Sequence, residues 1–381
     1  MSSSNPSPRI LICSNTAWSL YNFRRSLIVE LVARGYDVLA VAPHDEYAAQ
    51  LLALGCRYIA LEMDNGGTSP LRDLGLLLRF WGLLRQERPV AFLGYTIKPH
   101  VYGSLAAHTL GIPVINNIAG LGAAFSRPSW LTRIVKLLYR LALGRSRRVF
   151  FQNREDRSLF MGERLVREAQ SALLPGSGVD LTHFSPRTPR LASGEFRFLL
   201  VARMLWDKGV GEFVEAARRV RQRHPASRFQ LLGFLDVPNP AAIPRSVVEE
   251  WAAEGAIEYL GVTNDVRPHL ADADCIVLPS YYREGVPRSL IEAAAMGRPI
   301  ITTDWPGCRE VVDAGRNGFL CPPRDASALA AAMQQMIALT PEQRSAMGAQ
   351  SRRLAEERYD ERIVIRRYID AIAEVSSLSA R

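Results

Sequence analysis

A chain of 381 residues, 48% apolar and 22% charged, is long enough for two domains with separate cores and too ordinary in composition for disorder. It carries a net charge of +9, unevenly placed: residues 1–180 hold 21 Lys+Arg and 13 Asp+Glu, or +8, whereas residues 181–381 hold 26 and 25, or +1. A basic half beside a neutral half predicts an anionic surface or substrate for the N-terminal part, and without a nucleic-acid module or aromatic-basic interleaving no nucleic acid is expected.

The opening MSSSNPSP is polar and lacks an apolar centre, so no signal peptide is expected, and no run approaches the roughly 18 apolar residues of a membrane span. Cys13, Cys56, Cys275, Cys308 and Cys321 are scattered without metal-ligand spacing, which suits small buried hydrophobes in a reducing cytosol.

RILIC (Arg9 to Cys13) reads as a buried strand ending in a polar loop, Ser14-Asn15-Thr16. A helix follows, with Leu20, Phe23, Leu27, Ile28, Leu31 and Val32 on one face and Gly35 past its end. DVLAVAP is a second strand, and the alternation continues through RYIALE, a helix near Leu71–Arg85, VAFLG, a helix near His100–Leu110, PVINNI and RVFFQN. Near-continuous apolar strands separated by helices predict a doubly wound parallel sheet of Rossmann type, in which ligands bind beyond the carboxyl ends of the strands. No GxGxxG follows the first strand, which weighs against a dinucleotide there.

Two loops of this half open on that strand-end crevice: GYTIKPHVYG, with Lys98 and His100, and IAGLGAAFSRP, where Gly120 and Gly122 permit unusual backbone angles or close approach. His100 is either a capped or exposed residue at a helix start or a ligand contact. Asn15, Thr16, Arg24, Arg25 and Lys98 are candidates for an acceptor's phosphates, because arginine matches phosphate geometry; equally, Arg24 and Arg25 fit a solvated helix face. From Pro128 to Arg148 a helix carries Trp130, Ile134, Leu137, Leu138 and Leu141 on one side and Arg133, Lys136 and Arg140 on another. That pattern fits a helix lying in an anionic membrane interface, or an ordinary surface helix on the sheet; GLLLRFWGLLR at Gly75 to Arg85 is similarly apolar with interspersed arginines.

The Pro/Gly/Ser-rich stretch from Leu173 to Phe196 reads as a linker. FRFLLVA then opens a second parallel sheet, continued by RFQLLGF, AIEYLG, DCIVLPS and RPIITT, with helices such as Gly211–His224 and Val266–Ala273 between. A helical run from Asp325 to about Val375 closes the chain. The expected domains are residues 1–185, 186–358, and a terminal segment 359–381 crossing back to the first.

The densest chemistry lies in PSYYREGVPRSLIEAAAMGRPIITTDWPGCRE, Pro279 to Glu310: a strand end, an acidic loop, a helix, a strand and another loop. Unpaired amides at the helix start, with the positive end of its dipole, welcome an anion, and Glu284 and Glu292 beside them accept hydroxyl hydrogen bonds. Arg203 and Lys208, in VARMLWDKG after a strand, supply cations. Asp272-Ala-Asp274 is either a metal-binding triplet or a local backbone cap.

Together VARMLWDKG, the two glutamates, GRPIITTD, CREVV and NGFLCPP closely resemble the retaining glycosyltransferases of family four, which have the two-domain GT-B architecture; NTAWSLYNFR and EGVPR are most similar to bacterial surface-glycan enzymes acting on polyprenyl-diphosphate-linked saccharides. The resemblance implies two doubly wound domains facing a central cleft. It assigns Arg203 and Lys208 to the donor diphosphate, Glu292 to the ribose, and Glu284 and His100 to the donor sugar; Arg203, Lys208, Glu284 and His100 are thus the catalytic candidates. Gly285, Val286, Arg288, Ser289 and Glu310 complete the donor set. Many relatives have Phe-Gly where this loop reads Gly285-Val286-Pro287-Arg288, and Pro287 offers no N–H, so Arg288 or Ser289 is expected to compensate.

The implied function is transfer of a hexose or N-acetylhexosamine, with retention, from a UDP-sugar to a lipid-diphosphate-linked saccharide at the inner face of the cell membrane. No cofactor or metal is expected, because fixed cations neutralise the leaving diphosphate, which itself helps deprotonate the attacking hydroxyl. The alternatives are a sugar-nucleotide epimerase of the same fold and a non-catalytic sugar-nucleotide-binding membrane scaffold.

Overall fold

The computed structural model describes residues 7–64, 69–121, 130–187 and 194–379, with 130–132 and 376–379 described by backbone alone. Gly122, residues 128–129 of the expected membrane helix and the Trp130 side chain therefore lie outside the described residues. The chain divides into two units, Met1–Ser177 with Arg362–Arg381, and Gly178–Glu361.

The first unit runs β1 (Arg9–Cys13), α1 (Ala17–Ala33), β2 (Asp37–Ala42), α2 (Ala48–Ala53), β3 (Arg57–Ala60), α3 (Pro70–Glu87) and β4 (Ala91–Gly94). A π-helical turn, Pro99–Gly103, leads into α4 (Ser104–Thr109), followed by β5 (Val114–Ile118), α5 (Trp130–Leu143), β6 (Arg148–Phe151), α6 (Arg154–Gly162) and β7 (Ser171–Leu173). All seven strands are parallel, in the order β3-β2-β1-β4-β5-β6-β7. The apolar strands are buried on both faces: Ile10 and Ile12 pack with Leu20, Leu27 and Leu31 of α1, whereas Leu11 and Cys13 pack with Leu76, Phe80 and Leu84 of α3.

The second unit runs β8 (Arg197–Val201), a 3-10 turn at Trp206–Lys208, α7 (Val210–Arg223), β9 (Arg228–Leu232), α8 (Arg245–Ala253), β10 (Glu258–Tyr259), α9 (Arg267–Asp272), β11 (Cys275–Leu278), α10 (Arg288–Ala295), β12 (Ile300–Thr303) and β13 (Gly318–Cys321). Then come α11 (Ala326–Ala338), α12 (Pro341–Leu354), a π-helical turn at Ala355–Tyr359 and α13 (Glu361–Ser379). Its six parallel strands lie in the order β10-β9-β8-β11-β12-β13. Phe198, Leu200 and Val277 face Phe213 of α7, and Leu199, Ile276 and Leu278 face Leu290 and Ile291 of α10.

The division falls between Ser177 and Gly178, earlier than the expected 185/186, because the start of the Pro/Gly/Ser-rich stretch is packed structure. The Val179 amide donates to the Tyr359 carbonyl at 2.8 Å, and the Glu361 amide returns to the Val179 carbonyl at 3.1 Å. Gly178, at φ +74°, permits that approach, since a Cβ would stand 2.5 Å from Glu361 Cα. From Arg362 the chain belongs to the first unit, where Val364, Tyr368, Ala371, Ile372 and Val375 of α13 join the core beside β1.

Candidate active site

In the second sheet the strand order reverses between β8 and β11, the switch point where ligand-binding crevices form in open parallel sheets. The loops after those strands bring Lys208 and Glu284 together, Lys208 Nζ lying 2.5 Å from Glu284 Oε1 with side chains only 10% and 18% exposed. Ser280 Oγ donates to the same carboxylate oxygen at 3.1 Å, and the ammonium stands 5.5 Å from the centre of the Tyr282 ring. Gly209 follows Lys208 at φ +74°, where a Cβ would lie 2.1 Å from the Pro279 carbonyl oxygen; only glycine lets the two loops close up. Arg203, also after β8, is exposed, and its charge favours the ionised form of the Tyr282 phenol against the larger effect of burial.

Helix α10 begins after Pro287, with no side-chain cap and no acidic residue in its first turn. Its Glu292 Oε1 accepts from Arg288 Nε at 2.7 Å, one turn apart on the same face. Burial pushes the Glu292 carboxyl above its usual range, and the Arg288 guanidinium pulls it partly back. Gly285 and Val286 are buried and Ser289 is half-buried. Gly307, at φ +87°, supports this loop: a Cβ there would lie 2.2 Å from the Gly285 carbonyl oxygen. Glu310 sits in a 3-10 turn, Arg309–Val311, and its backbone carbonyl accepts from the Tyr359 hydroxyl at 2.5 Å. The structure thus gathers Lys208, Glu284, Arg288 and Glu292 into two carboxylate–cation pairs.

The first-unit candidates are held differently. Thr16 is the N-cap of α1, its Oγ1 accepting from the Ser19 amide at 3.1 Å, and Asn15 is half-buried beside it. Arg24 is not on a solvated face: it is 6% exposed, with its guanidinium 4.3 Å from the centre of the Tyr95 ring, while Arg25 is exposed against Tyr21. Lys98 pairs with Asp73, whose other oxygen accepts from the Tyr102 hydroxyl at 2.8 Å. His100 is neither capped nor exposed; it is 3% exposed in the π-helical turn, with Nε2 3.1 Å from the Asn117 carbonyl oxygen. Burial pulls its pKa down to about 4, against a smaller opposing effect of backbone hydrogen bonds, so the ring is neutral at pH 7.

Asp272 and Asp274 are engaged by Arg197, Asp272 with its guanidinium and Asp274 with its backbone amide at 2.8 Å. Sequence reasoning missed Ser280 and Tyr282 around Lys208, although both stand in the PSYYRE run, and missed Tyr368, whose hydroxyl accepts from Asn117 Nδ2 at 2.9 Å. Only tertiary contact links residues so far apart in the chain.

Residues 22–177 match the glycosyl transferase 4-like domain and residues 195–338 match glycosyl transferases group 1. The chain is 28% identical over 379 residues to N,N'-diacetylbacillosaminyl-diphospho-undecaprenol alpha-1,3-N-acetylgalactosaminyltransferase of Campylobacter jejuni, covering 95% of this chain and 97% of that one. It is 26% identical over 313 residues to UDP-Gal:alpha-D-GlcNAc-diphosphoundecaprenol alpha-1,3-galactosyltransferase of Escherichia coli, covering 78% and 76%. Among solved structures, a glycosyltransferase of Rickettsia africae superposes with a TM-score of 0.79 at 16% identity, covering 97% of this chain and 99% of that one. HepE of Anabaena gives 0.77 at 16% identity, covering 96% and 99%. At such identities the structural likeness speaks for the fold, and the two domain matches for the family. The chain belongs to the group 1 glycosyltransferases with a 4-like N-terminal domain, folded as two Rossmann-like parallel-sheet domains of the GT-B type.

Proposed function

We propose that this glycosyltransferase moves a hexose or N-acetylhexosamine from a UDP-sugar to a polyprenyl-diphosphate-linked saccharide, with retention of configuration, during assembly of a bacterial surface glycan. The relatives named above act on undecaprenyl-diphosphate-linked sugars, and one takes a UDP-linked donor. They favour neither an epimerase nor a non-catalytic scaffold. The observation that carries the reading is the meeting of Lys208 with Glu284, and of Arg288 with Glu292, around the switch point of the second sheet.

In this reading Arg203 and Lys208 take the donor diphosphate, with amides around Gly285, Val286, Arg288 and Ser289. Glu292 takes the ribose and Glu284 the sugar, with Glu310 at the sugar's periphery. Fixed cations then stabilise the charge that grows on the leaving diphosphate, in place of a divalent ion. The Asp272/Asp274 pair supports metal independence, being committed to Arg197. Asn15 and Thr16 lie on the loop after β1, Arg24 in the helix α1 that follows it, and Lys98 after β4, beside the switch point of the first sheet, and we assign them to the acceptor side.

We further infer that the first unit rests on the anionic inner face of the cell membrane. No helix among the described residues is long and apolar enough to cross a membrane. Leu71, Leu74 and Leu78 of α3 are 83%, 53% and 61% exposed, and Ile134, Leu137 and Leu141 of α5 are 44%, 54% and 52% exposed. Each set follows i, i+3, i+7 spacing, and both helices pack against the turn Pro99–Gly103. Exposed Arg72, Arg79 and Arg85 flank the first stripe and Arg133 and Arg140 the second, and residues 101–150 contain seven Lys+Arg with no acidic residue. Leucine stripes edged with cations suit an anionic lipid interface.

The test is a turnover assay that pairs UDP-sugars with undecaprenyl-diphosphate-linked saccharides and resolves products by mass spectrometry and NMR. The reading expects an acceptor-dependent glycoside in the donor's anomeric configuration. Conversion of a UDP-sugar without acceptor, or no conversion across the panel, would refute it.

A further inference from the structure

Four charged side chains of the second unit meet as two carboxylate–cation pairs. Lys208 is held by Glu284 at 2.5 Å, with Ser280 adding a hydrogen bond to the same carboxylate, and Arg288 is held by Glu292 at 2.7 Å. Three of the four side chains are less than a fifth exposed and Arg288 is 24% exposed, so breaking either pair leaves a charge with little water to replace its partner. A carboxylate that loses its cation needs hydroxyl donors, and a cation that loses its carboxylate needs an anion. A diphosphate alone supplies the anion but no hydroxyls for the glutamates; a nucleoside or sugar alone supplies hydroxyls but no anion for the cations.

We propose that these pairs are a charge lock that favours a ligand carrying both halves over one carrying a single half, and that Glu284 drives product release. The proposal rests on the sugar-nucleotide reading above. An intact donor satisfies all four groups at once, its diphosphate taking Lys208 and its sugar hydroxyls taking Glu284. After the glycosyl group has moved to the acceptor, the nucleoside diphosphate still holds Lys208, but Glu284 has lost the sugar hydroxyls at a position only 18% exposed. Glu284 then competes for Lys208, and re-forming the pair expels the product. The same competition makes the free nucleoside diphosphate a weaker ligand than the intact donor, although both present the same phosphates.

The test is calorimetric titration of the full chain and of Glu284→Gln with UDP and with UDP-N-acetylgalactosamine. Removing the negative charge frees Lys208, so the variant should bind UDP about tenfold more tightly than the parent. It should also lose most of the parent's preference for the intact donor over UDP, and its turnover should become more sensitive to inhibition by added UDP. Glu284→Asp, whose shorter carboxylate reaches Lys208 poorly, should shift UDP affinity the same way and serves if the glutamine variant does not fold. Equal or weaker UDP binding in the variants, with the parent binding UDP, overturns the lock alone. Failure of the parent to bind either nucleotide overturns the sugar-nucleotide reading and the lock with it.

Discussion

His100 is the residue whose surroundings differ most from what the sequence suggested. A ring 3% exposed, with its pKa pulled down to about 4, must be deprotonated to remain in place. Below its ordinary value near 6.5 the unfolded chain binds a proton that the folded chain refuses, so stability falls as pH drops from about 6.5 towards 4 and is fully present above that window. The single group is worth on the order of 3 kcal/mol between those limits. Replacing His100 with Asn should leave a smaller loss of melting temperature between pH 7.5 and pH 5 than in the parent; an unchanged loss would show that other groups govern acid sensitivity. Arg24 teaches a related lesson, because helical spacing identified the apolar face of α1 but gave no sign that an aromatic ring from the loop after β4 would cover a guanidinium.

At the scale of the element, α13 and the pair α3 and α5 carry the most information. The apolar residues of α13 complete the first unit's core although the helix follows the whole second unit in sequence. Tyr368 is 1% exposed among Tyr95 and Phe150, and its hydroxyl accepts from Asn117. Tyr368→Ala should cost about 3–5 kcal/mol in urea unfolding of the first unit, and Tyr368→Phe about 1 kcal/mol. Losses below about 1 kcal/mol for the alanine variant would mean that α13 is not part of that core. The leucine stripes of α3 and α5 make the opposite point. Their periodicity was readable, but periodicity cannot say which apolar face meets the sheet; on α5 the packed residues are Tyr139, Ala142 and Leu143, and Ile134, Leu137 and Leu141 are left outside. Glutamate at both Leu74 and Leu137 should lower binding to phosphatidylglycerol vesicles about tenfold or more, with soluble turnover little changed. Flotation equal to that of the parent would remove these helices from the membrane account.

For the molecule as a whole, the strand–helix alternation and the signature spanning Arg203 to Glu310 made both sheets and the second unit's site legible. Parallel strands buried on both faces announce themselves as unbroken apolar runs, and residues on the loops after such strands fall at the sheet's switch point. The partners that Lys208 and Glu284 find in Ser280 and Tyr282, the burial of His100 and the packed start of the linker were not legible, because each depends on contacts made only once the sheets have formed. In the proposed reaction Lys208 acts on charge that develops as the sugar leaves the diphosphate. If Lys208 grips that diphosphate as proposed, the ground-state contact is offset by the Glu284 pair it must give up, which concentrates its contribution in the transition state. Single-turnover rates and donor dissociation constants measured side by side for the parent and Lys208→Ala test this most directly. The account predicts a rate lowered about 100-fold or more, with donor affinity changed only a few-fold; undiminished turnover in the variant would contradict it.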